Sequence, residues 1–257
     1  MKLTPAQEQF KADYIRDRGY WVPFNDGLLA HAPDFLTAYF DYAGYPARTG
    51  PLAARTRELI YVAIDSSTTH MFVQGLEIHV KAAYAAGCST ADLMGVMQLA
   101  TAQGLDSLGS GLSIVVEELA AAGGDSAIDE RPLDLREQAI RDRFVERFGD
   151  WPRWCDLLVR RAPDYAERMV TMLTAPCGAT QLDPKTRSLV QLALAAAPTH
   201  LDLRAVREHT RSAIRSGATG EELVEVLQLC AHLGVHACVI GVPFIAEHAP
   251  AGEPAAE

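Results

Sequence analysis

The sequence repeats itself with one fixed offset of 130 positions, and this repeat limits the fold more than any other feature. A unit at about residues 10–118 recurs after that offset without an insertion. Residues that seldom match by chance keep the same register: Gly19 with Gly149, Trp21 with Trp151, Pro33 with Pro163, Thr69-His70 with Thr199-His200, His79 with His209, and Gly87 with Gly217. Self-similarity at one period is typical of a duplicated structural unit. We therefore predict a tandem duplication.

The duplication also predicts the domain boundaries. The first repeat, with its N-terminal helices, occupies residues 1–120, and a Gly/Ala/Asp-rich linker follows at residues 121–133. The second repeat occupies residues 134–248. Residues 249–257 are rich in Ala, Pro and Glu, which predicts a loose tail.

Each repeat has the pattern of a series of helices. Apolar residues at helical spacing predict a helix over Arg55–Ile64, and a polar segment at residues 65–69 interrupts it. A second helix is predicted from about His70 to Ala86. Capping-box patterns at residues 89–92 and 219–222 predict the start of a third helix in each copy. Because no alternating apolar pattern indicates strands, the predicted fold class is all-α.

Composition excludes several classes of partner. The formal charge is −10, and the Lys and Arg residues are scattered and outnumbered, so nucleic acids and anionic membrane surfaces are not expected partners. The apolar stretches look too short to span a bilayer, and no signal-peptide pattern opens the chain. Five cysteines without a CxxC indicate reduced thiols. We therefore expect a cytoplasmic protein.

Three segments of the first repeat resemble the carboxymuconolactone decarboxylase family, whose superfamily includes the alkylhydroperoxidase D-like proteins. These segments are Arg57–Ala63, His79–Ala83 and Ala86–Ser89. The second repeat resembles the family through Arg187–Val190, His209 and Ser216–Leu223. The resemblance implies two helical repeats of the alkylhydroperoxidase D-like type. It also implies association of the units, so a homo-oligomer of three duplicated chains is expected.

The family divides by its chemistry, and the peroxidase branch does not fit this chain. That branch carries a CxxC before the helix histidine, at positions that correspond here to Phe72 and Gly75, and to Asp202 and Ala205. Thiolate nucleophilicity is the basis of the peroxidase reaction. Thiol peroxidase activity is therefore excluded.

The decarboxylase branch acts without a cofactor on a lactone acid that arises by ring fission. It keeps the helix histidine, which matches His79 and His209, and it usually has a glutamate four positions earlier, where this chain has Gly75 and Ala205. This departure indicates a relative with another substrate or another acid/base reaction. The resemblance implies a cofactor-free lyase or isomerase that acts on a small organic acid from aromatic degradation.

His79 and His209 are the first candidates for catalytic residues, because histidine exchanges protons near neutral pH. The alternative is a pair of core or interface histidines that duplication has repeated. Glu58 matches a glutamate of the family's helix, whereas the second repeat has Ser188 there, so Glu58 is a further catalytic candidate.

His70 and His200 follow Thr69 and Thr199 at the predicted start of the second helix. A helix N-terminus favours bound anions, so these four residues are candidates to hold a substrate carboxylate or to act in the reaction. The alternative is that the threonines cap the helix and the histidines only pack.

Two arginines and two further histidines complete the candidates for substrate binding. Arg57 and Arg187 could bind a carboxylate, although a salt bridge on the helix surface is the favoured alternative. His232 and His236 occur only in the second repeat, and their spacing of four predicts one helix face. They are expected to line a pocket, with no metal, although a metal site with His209 is an alternative.

Two alternatives to the lyase or isomerase therefore stay open. One is a non-catalytic, oligomeric binding protein whose pockets are vestigial. The other is a metalloenzyme built on His209, His232 and His236.

Overall fold

A computed structural model describes residues 3–123, 131–177 and 182–250. Every regular element in these ranges is a helix, which confirms the all-α prediction. The helices of the first repeat are α1 (Pro5–Arg18), α2 (Phe24–His31), α3 (Pro33–Thr49), α4 (Ala54–Asp65), α5 (Val73–Ala85), α6 (Thr90–Ala102) and α7 (Gly104–Ala121). The second repeat has α8 (Leu135–Phe148), α9 (Arg153–Arg161), α10 (Pro163–Thr174), α11 (Pro184–Ala196), α12 (Leu203–Arg215), α13 (Gly220–Ala231), a 3₁₀ turn (His232–Val235) and α14 (His236–His248).

The offset seen in the sequence is kept by the helices. Helices α1 and α8 occupy equivalent positions of the two repeats, as do α5 and α12. Both α1 and α8 begin with a capping box and end at a glycine in the left-handed conformation, Gly19 and Gly149. The predicted capping boxes before α6 and α13 are also present. The two repeats therefore share their local signals as well as their sequence.

The helix that carries His79 begins later than predicted, and so does its counterpart. Helix α5 starts at Val73 and α12 at Leu203, because Met71 and Leu201 adopt left-handed φ angles of 50° and 44° that no α-helix tolerates. The expectation that His70 and His200 occupy a helix N-terminus was therefore wrong.

The two threonines before these histidines do not cap the helices either. Their side chains lie within hydrogen-bond distance of each other, with 3.1 Å between the hydroxyl oxygens of Thr69 and Thr199. The cap of α12 is instead Asp202, whose carboxylate accepts a hydrogen bond from the backbone N–H of Ala205 at 2.8 Å. The loops before α5 and α12 therefore contact each other through these threonines.

The chain divides into two compact units, which comprise Met1–Leu52 with Ala231–Glu257, and Ala53–Cys230. In the first unit, α14 packs against α2 beside a core that includes Tyr14 and Leu36. Trp21 anchors the start of this core, with its ring edge-to-face on Tyr14 at 5.2 Å.

In the second unit, α4 pairs with α5, α11 pairs with α12, and α4 packs against α11. A further core forms where α8, α9 and α10 pack together. Here Trp151 lies edge-to-face on Phe144 at 5.4 Å, which repeats the arrangement of Trp21 and Tyr14. The two tryptophans are thus packing anchors in equivalent places.

These compact units do not follow the sequence repeats. Helix α14 of the second repeat packs on α2 of the first, and α7 of the first repeat packs on α9 of the second. Much of the predicted linker at residues 121–133 and of the predicted tail at residues 249–257 lies outside the described residues. The boundaries of the repeats therefore stay predictions from the sequence.

One stretch, Gly220–His248, is long and apolar enough to cross a membrane by length and composition. This differs from the expectation that every apolar stretch is too short. The stretch is interrupted by the 3₁₀ turn and contains Pro243. Its first part, α13, buries Val226 and Leu229. Because a core helix satisfies the same criteria, the stretch is weak evidence for a membrane segment.

Candidate functional site

Helices α4 and α5 bring together the polar residues of the first repeat. Glu58, Tyr61 and Asp65 are spaced by three and four positions on α4, so they share one face of that helix. Gly75 and His79 are four positions apart on α5 and likewise share a face. Because α4 packs against α5, these two faces form one site.

His79 is held by two neighbours on α4. Its Nδ1 lies 2.8 Å from Oε2 of Glu58, and its ring stacks on Tyr61 with 4.3 Å between the ring centroids. A carboxylate on one ring nitrogen orients an imidazole and selects the nitrogen that carries the proton. The pair of Glu58 and His79 therefore has the geometry of an oriented acid/base.

Asp65 brings a second carboxyl group to the same site. The residue is 2% exposed, and its Oδ2 has no hydrogen-bond partner among the described residues. Burial raises the pKa of Asp65 to about 7; the charge of His79 opposes this rise, and Glu58 adds to it. A ring nitrogen of His70 lies within 4.8 Å of an Asp65 carboxylate oxygen. Asp65 can therefore hold or release a proton near neutral pH.

Gly75 is required by the close approach of Asp65. A Cβ atom at position 75 would overlap Oδ2 of Asp65 and the ring of Phe72. Gly75 is buried in the helix, and its φ angle is not in the left-handed region. The glycine therefore serves to make room for the carboxyl group rather than to allow an unusual backbone conformation.

The equivalent face of the second repeat carries no carboxylate. Its residues are Ser188, Gln191, Ala195, Ala205 and His209. Ser188 donates to or accepts from Ser212 at 3.1 Å, and neither hydroxyl approaches His209 as Glu58 approaches His79. His209 makes no hydrogen bond with any described residue. Burial, with a smaller contribution from Arg204, lowers its pKa to about 4, so the ring is neutral at physiological pH.

A cavity of about 90 Å³ lies beside His209. Aromatic and aliphatic side chains form much of its wall, and Gln191, Arg204 and Ser212 are among its polar lining residues. His200 pairs with Asp106 at 3.0 Å, and Asp106 also lines the cavity. His200 therefore has a specific acidic partner, which its position in the sequence did not indicate.

The two candidate arginines differ in their surroundings. Arg57 forms an ion pair with Glu225 at 3.3 Å, and Glu225 is 1% exposed. This matches the salt-bridge alternative, although the partner is buried rather than on the surface. Arg187 is also buried and lies over the ring of Phe148 at 5.4 Å, and burial lowers its pKa to about 10.

His232 and His236 are not on one continuous α-helix. His232 opens the 3₁₀ turn, whereas His236 is the first residue of α14. The expectation of one shared helix face was therefore wrong, because the 3₁₀ turn changes the rotation per residue. His232 packs edge-to-face on Tyr42 at 5.1 Å, and burial lowers its pKa to about 4. The metal site with His209 stays an alternative prediction from the sequence.

Sequence reasoning found Glu58 and His79 separately and missed Asp65. The signals for Asp65 were its position seven residues after Glu58, on the same helix face, and its replacement by Ala195 in the second repeat. The sequence pattern instead places Asp65 at the start of the polar segment 65–69.

Both repeats match one known protein family. The model of a family described as the carboxymuconolactone decarboxylase family matches residues 33–117 and 163–234, so the two matches begin at equivalent positions of the two repeats. No curated protein matches the sequence significantly.

A crystal structure from Burkholderia xenovorans LB400, of a protein proposed to be a gamma-carboxymuconolactone decarboxylase subunit, is similar to this chain. The TM-score is 0.87, with 29% sequence identity over 95% of this chain and 98% of that one. The similarity thus extends over both repeats.

The raised pKa of Asp65 predicts a pH-dependent effect of Asp65→Asn on stability. Between the unfolded pKa of 3.8 and the folded pKa of about 7, the folded protein binds more protons, so burial of Asp65 lowers stability as the pH rises. The variant loses this dependence. The difference in free energy of unfolding between Asp65→Asn and wild type should therefore rise, in favour of the variant, by on the order of 2–4 kcal/mol from about pH 4 to about pH 8.

Urea denaturation at both pH values measures this gain. Asp34→Asn, at an exposed aspartate, is the matched control and should show a much smaller change. An equal offset of Asp65→Asn from wild type at both pH values would contradict a raised pKa.

Proposed function

Because the chain belongs to the carboxymuconolactone decarboxylase family, we propose that it is a cofactor-free lyase or isomerase that acts on a small organic acid. The family and the similar structure support a decarboxylase-like protein. We place the reaction in the first repeat. The observation that carries it is the contact of His79 with Glu58, with the buried carboxyl group of Asp65 on the same face.

Decarboxylation of a carboxylated lactone needs a proton donor. The bond between carbon and the carboxylate breaks, carbon dioxide leaves, and the electron pair of that bond is delocalised onto the ring carbonyl as an enolate. A proton must then be added to carbon. Asp65, whose pKa is raised to about 7, is suited to supply it, and His79 held by Glu58 is suited to exchange the proton afterwards. An isomerase would use the same two groups to remove one proton and add another.

The position of Asp65 compensates for a carboxylate that the family usually has and that this chain lacks. The resemblance implies a glutamate four positions before the helix histidine, where this chain has Gly75. The Asp65 carboxyl group occupies the space in front of Gly75 that a side chain there would need. We infer that α4 supplies the carboxyl group that α5 lacks. The substrate carboxylate is not assigned to Arg57, which is engaged with Glu225.

The other expectations also remain proposals. Exposed apolar side chains on α14, Ile240, Phe244 and Ile245, support assembly into a homo-oligomer, for which three duplicated chains are proposed. We also propose a cytoplasmic location, no nucleic-acid or membrane partner, and a reaction without a metal or cofactor.

Substitution of His79 and Glu58 tests the proposed chemistry. With a carboxylated lactone as substrate, His79→Ala should lower kcat by about 10²–10⁴-fold, because the group that exchanges the proton is lost. Glu58→Gln should lower kcat less, since the imidazole stays but loses its charged partner. The double variant His79→Ala/His209→Ala should be no slower than His79→Ala. Steady-state turnover of the purified proteins measures these effects.

His31→Ala, at an exposed histidine, is the control for that series and should turn over like wild type. Undiminished turnover by His79→Ala/His209→Ala would eliminate both proposed histidine roles. If the wild type turns over no carboxylated lactone or related acid, the alternative of a non-catalytic binding protein is favoured.

Gly75→Ala tests the role of Asp65 without removing any reactive group. The added methyl group should push the Asp65 carboxyl group and Phe72 aside, and kcat should fall by about tenfold or more because a misplaced group loses most of its effect. Gly111→Ala is the matched control, since a Cβ atom at that helical glycine meets no atom within 4 Å. Equal kcat values for the two variants would contradict the role of Asp65.

A further inference from the structure

We propose that the cavity beside His209 is a second binding site, separate from the site of His79, for a small uncharged ring compound with one hydroxyl or carbonyl group. The proposal does not depend on turnover in the first repeat, because it concerns other residues and is tested by binding alone.

The cavity lies where the second repeat has smaller side chains than the first repeat has at the equivalent positions. Gln191, which lines the cavity, stands at the position of Tyr61, and no aromatic ring stacks on His209 among the described residues. Ser188 replaces Glu58 and turns to Ser212, another lining residue. The space that Tyr61 and Glu58 fill against His79 is therefore left open against His209.

The walls of the cavity suit a flat ring. Phe144, Phe148 and Trp154 line it, together with Leu173 and Leu194. Sites for small molecules are mostly apolar, with a few polar groups that fix the orientation. The small volume of about 90 Å³ restricts the occupant to a compact molecule.

The charged side chains of the cavity already have polar partners. Arg204 donates to Glu208 at 2.6 Å, and Arg215 donates to Asp150 at 2.9 Å. Asp106, the third lining carboxylate, pairs with His200 at 3.0 Å. The lining carries two guanidinium groups against three carboxylates, so its charge disfavours an anion. An uncharged ligand is favoured over the organic acid proposed for the first repeat.

Two neutral groups remain available for hydrogen bonds in the cavity. The His209 ring and the Gln191 side-chain amide line it, and neither makes a side-chain hydrogen bond with a described residue. The low pKa of His209, caused mainly by burial, keeps the ring neutral at physiological pH. Together the two groups offer a donor and an acceptor to one hydroxyl or carbonyl group.

Phenol and benzoate are the probes, because they share a ring and differ in charge. Isothermal titration of the full chain at neutral pH should give binding of phenol and at least about tenfold weaker binding of benzoate. Gln191→Tyr, which restores the first-repeat residue and fills the cavity, should weaken phenol binding at least about tenfold. Val224→Tyr, at an exposed position of α13, is the matched control and should bind phenol like wild type.

His209→Leu provides a second variant in case Gln191→Tyr does not fold, as judged by its circular dichroism and Tm. It keeps the apolar wall but removes a hydrogen-bonding group, and it should also weaken phenol binding. Benzoate binding as tight as phenol, absence of phenol binding by the wild type, or unchanged phenol affinity in a folded cavity variant would each overturn the proposal. None of these results would bear on turnover by His79.

Discussion

The packing of α4 against α5 is the constraint on which the site depends. One face of α4 is buried through Leu59, Ile60 and Ala63, which fixes the helix in the core, and another face presents Glu58, Tyr61 and Asp65 to α5. A rigid pair of helices holds His79 against Glu58 more accurately than a loop would. The hydrogen bond of 2.8 Å is therefore a consequence of the fold, not of a local motif.

The same packing recurs in α11 and α12 with different contents, and this difference separates the two repeats. Burying an ionisable group is costly unless a partner compensates it. In the first repeat Glu58 lies 2.8 Å from His79, and we propose that this pair exchanges the proton of the reaction. In the second repeat His209 has no carboxylate partner among the described residues, and burial lowers its pKa to about 4, which keeps the ring neutral. Duplication thus provided two copies of one scaffold whose electrostatics have diverged.

Local signals in the sequence were sufficient for most of the fold. The helix ends are marked by short-range signals, which are the capping boxes and the glycines that end helices, and the repeat is visible as a fixed offset. These signals predicted the helices well. The starts of α5 and α12 were missed because Met71 and Leu201 adopt left-handed angles, which neither residue type indicates.

The missed parts of the site have a different cause. The pairing of Arg57 with Glu225 and the packing of α7 on α9 and of α14 on α2 join residues distant in sequence. The proximity of Asp65 to Gly75 depends on how α4 packs against α5. Comparison of the two copies could have pointed to Asp65, because Ala195 and Ala205 replace Asp65 and Gly75 together.

The central claim is that the chemistry is confined to the first repeat. A crystal structure with an unreactive analogue of a carboxylated lactone tests this claim most directly. Electron density for the analogue beside His79 and Asp65, and none beside His209, is the predicted result; density beside His209 alone would contradict it.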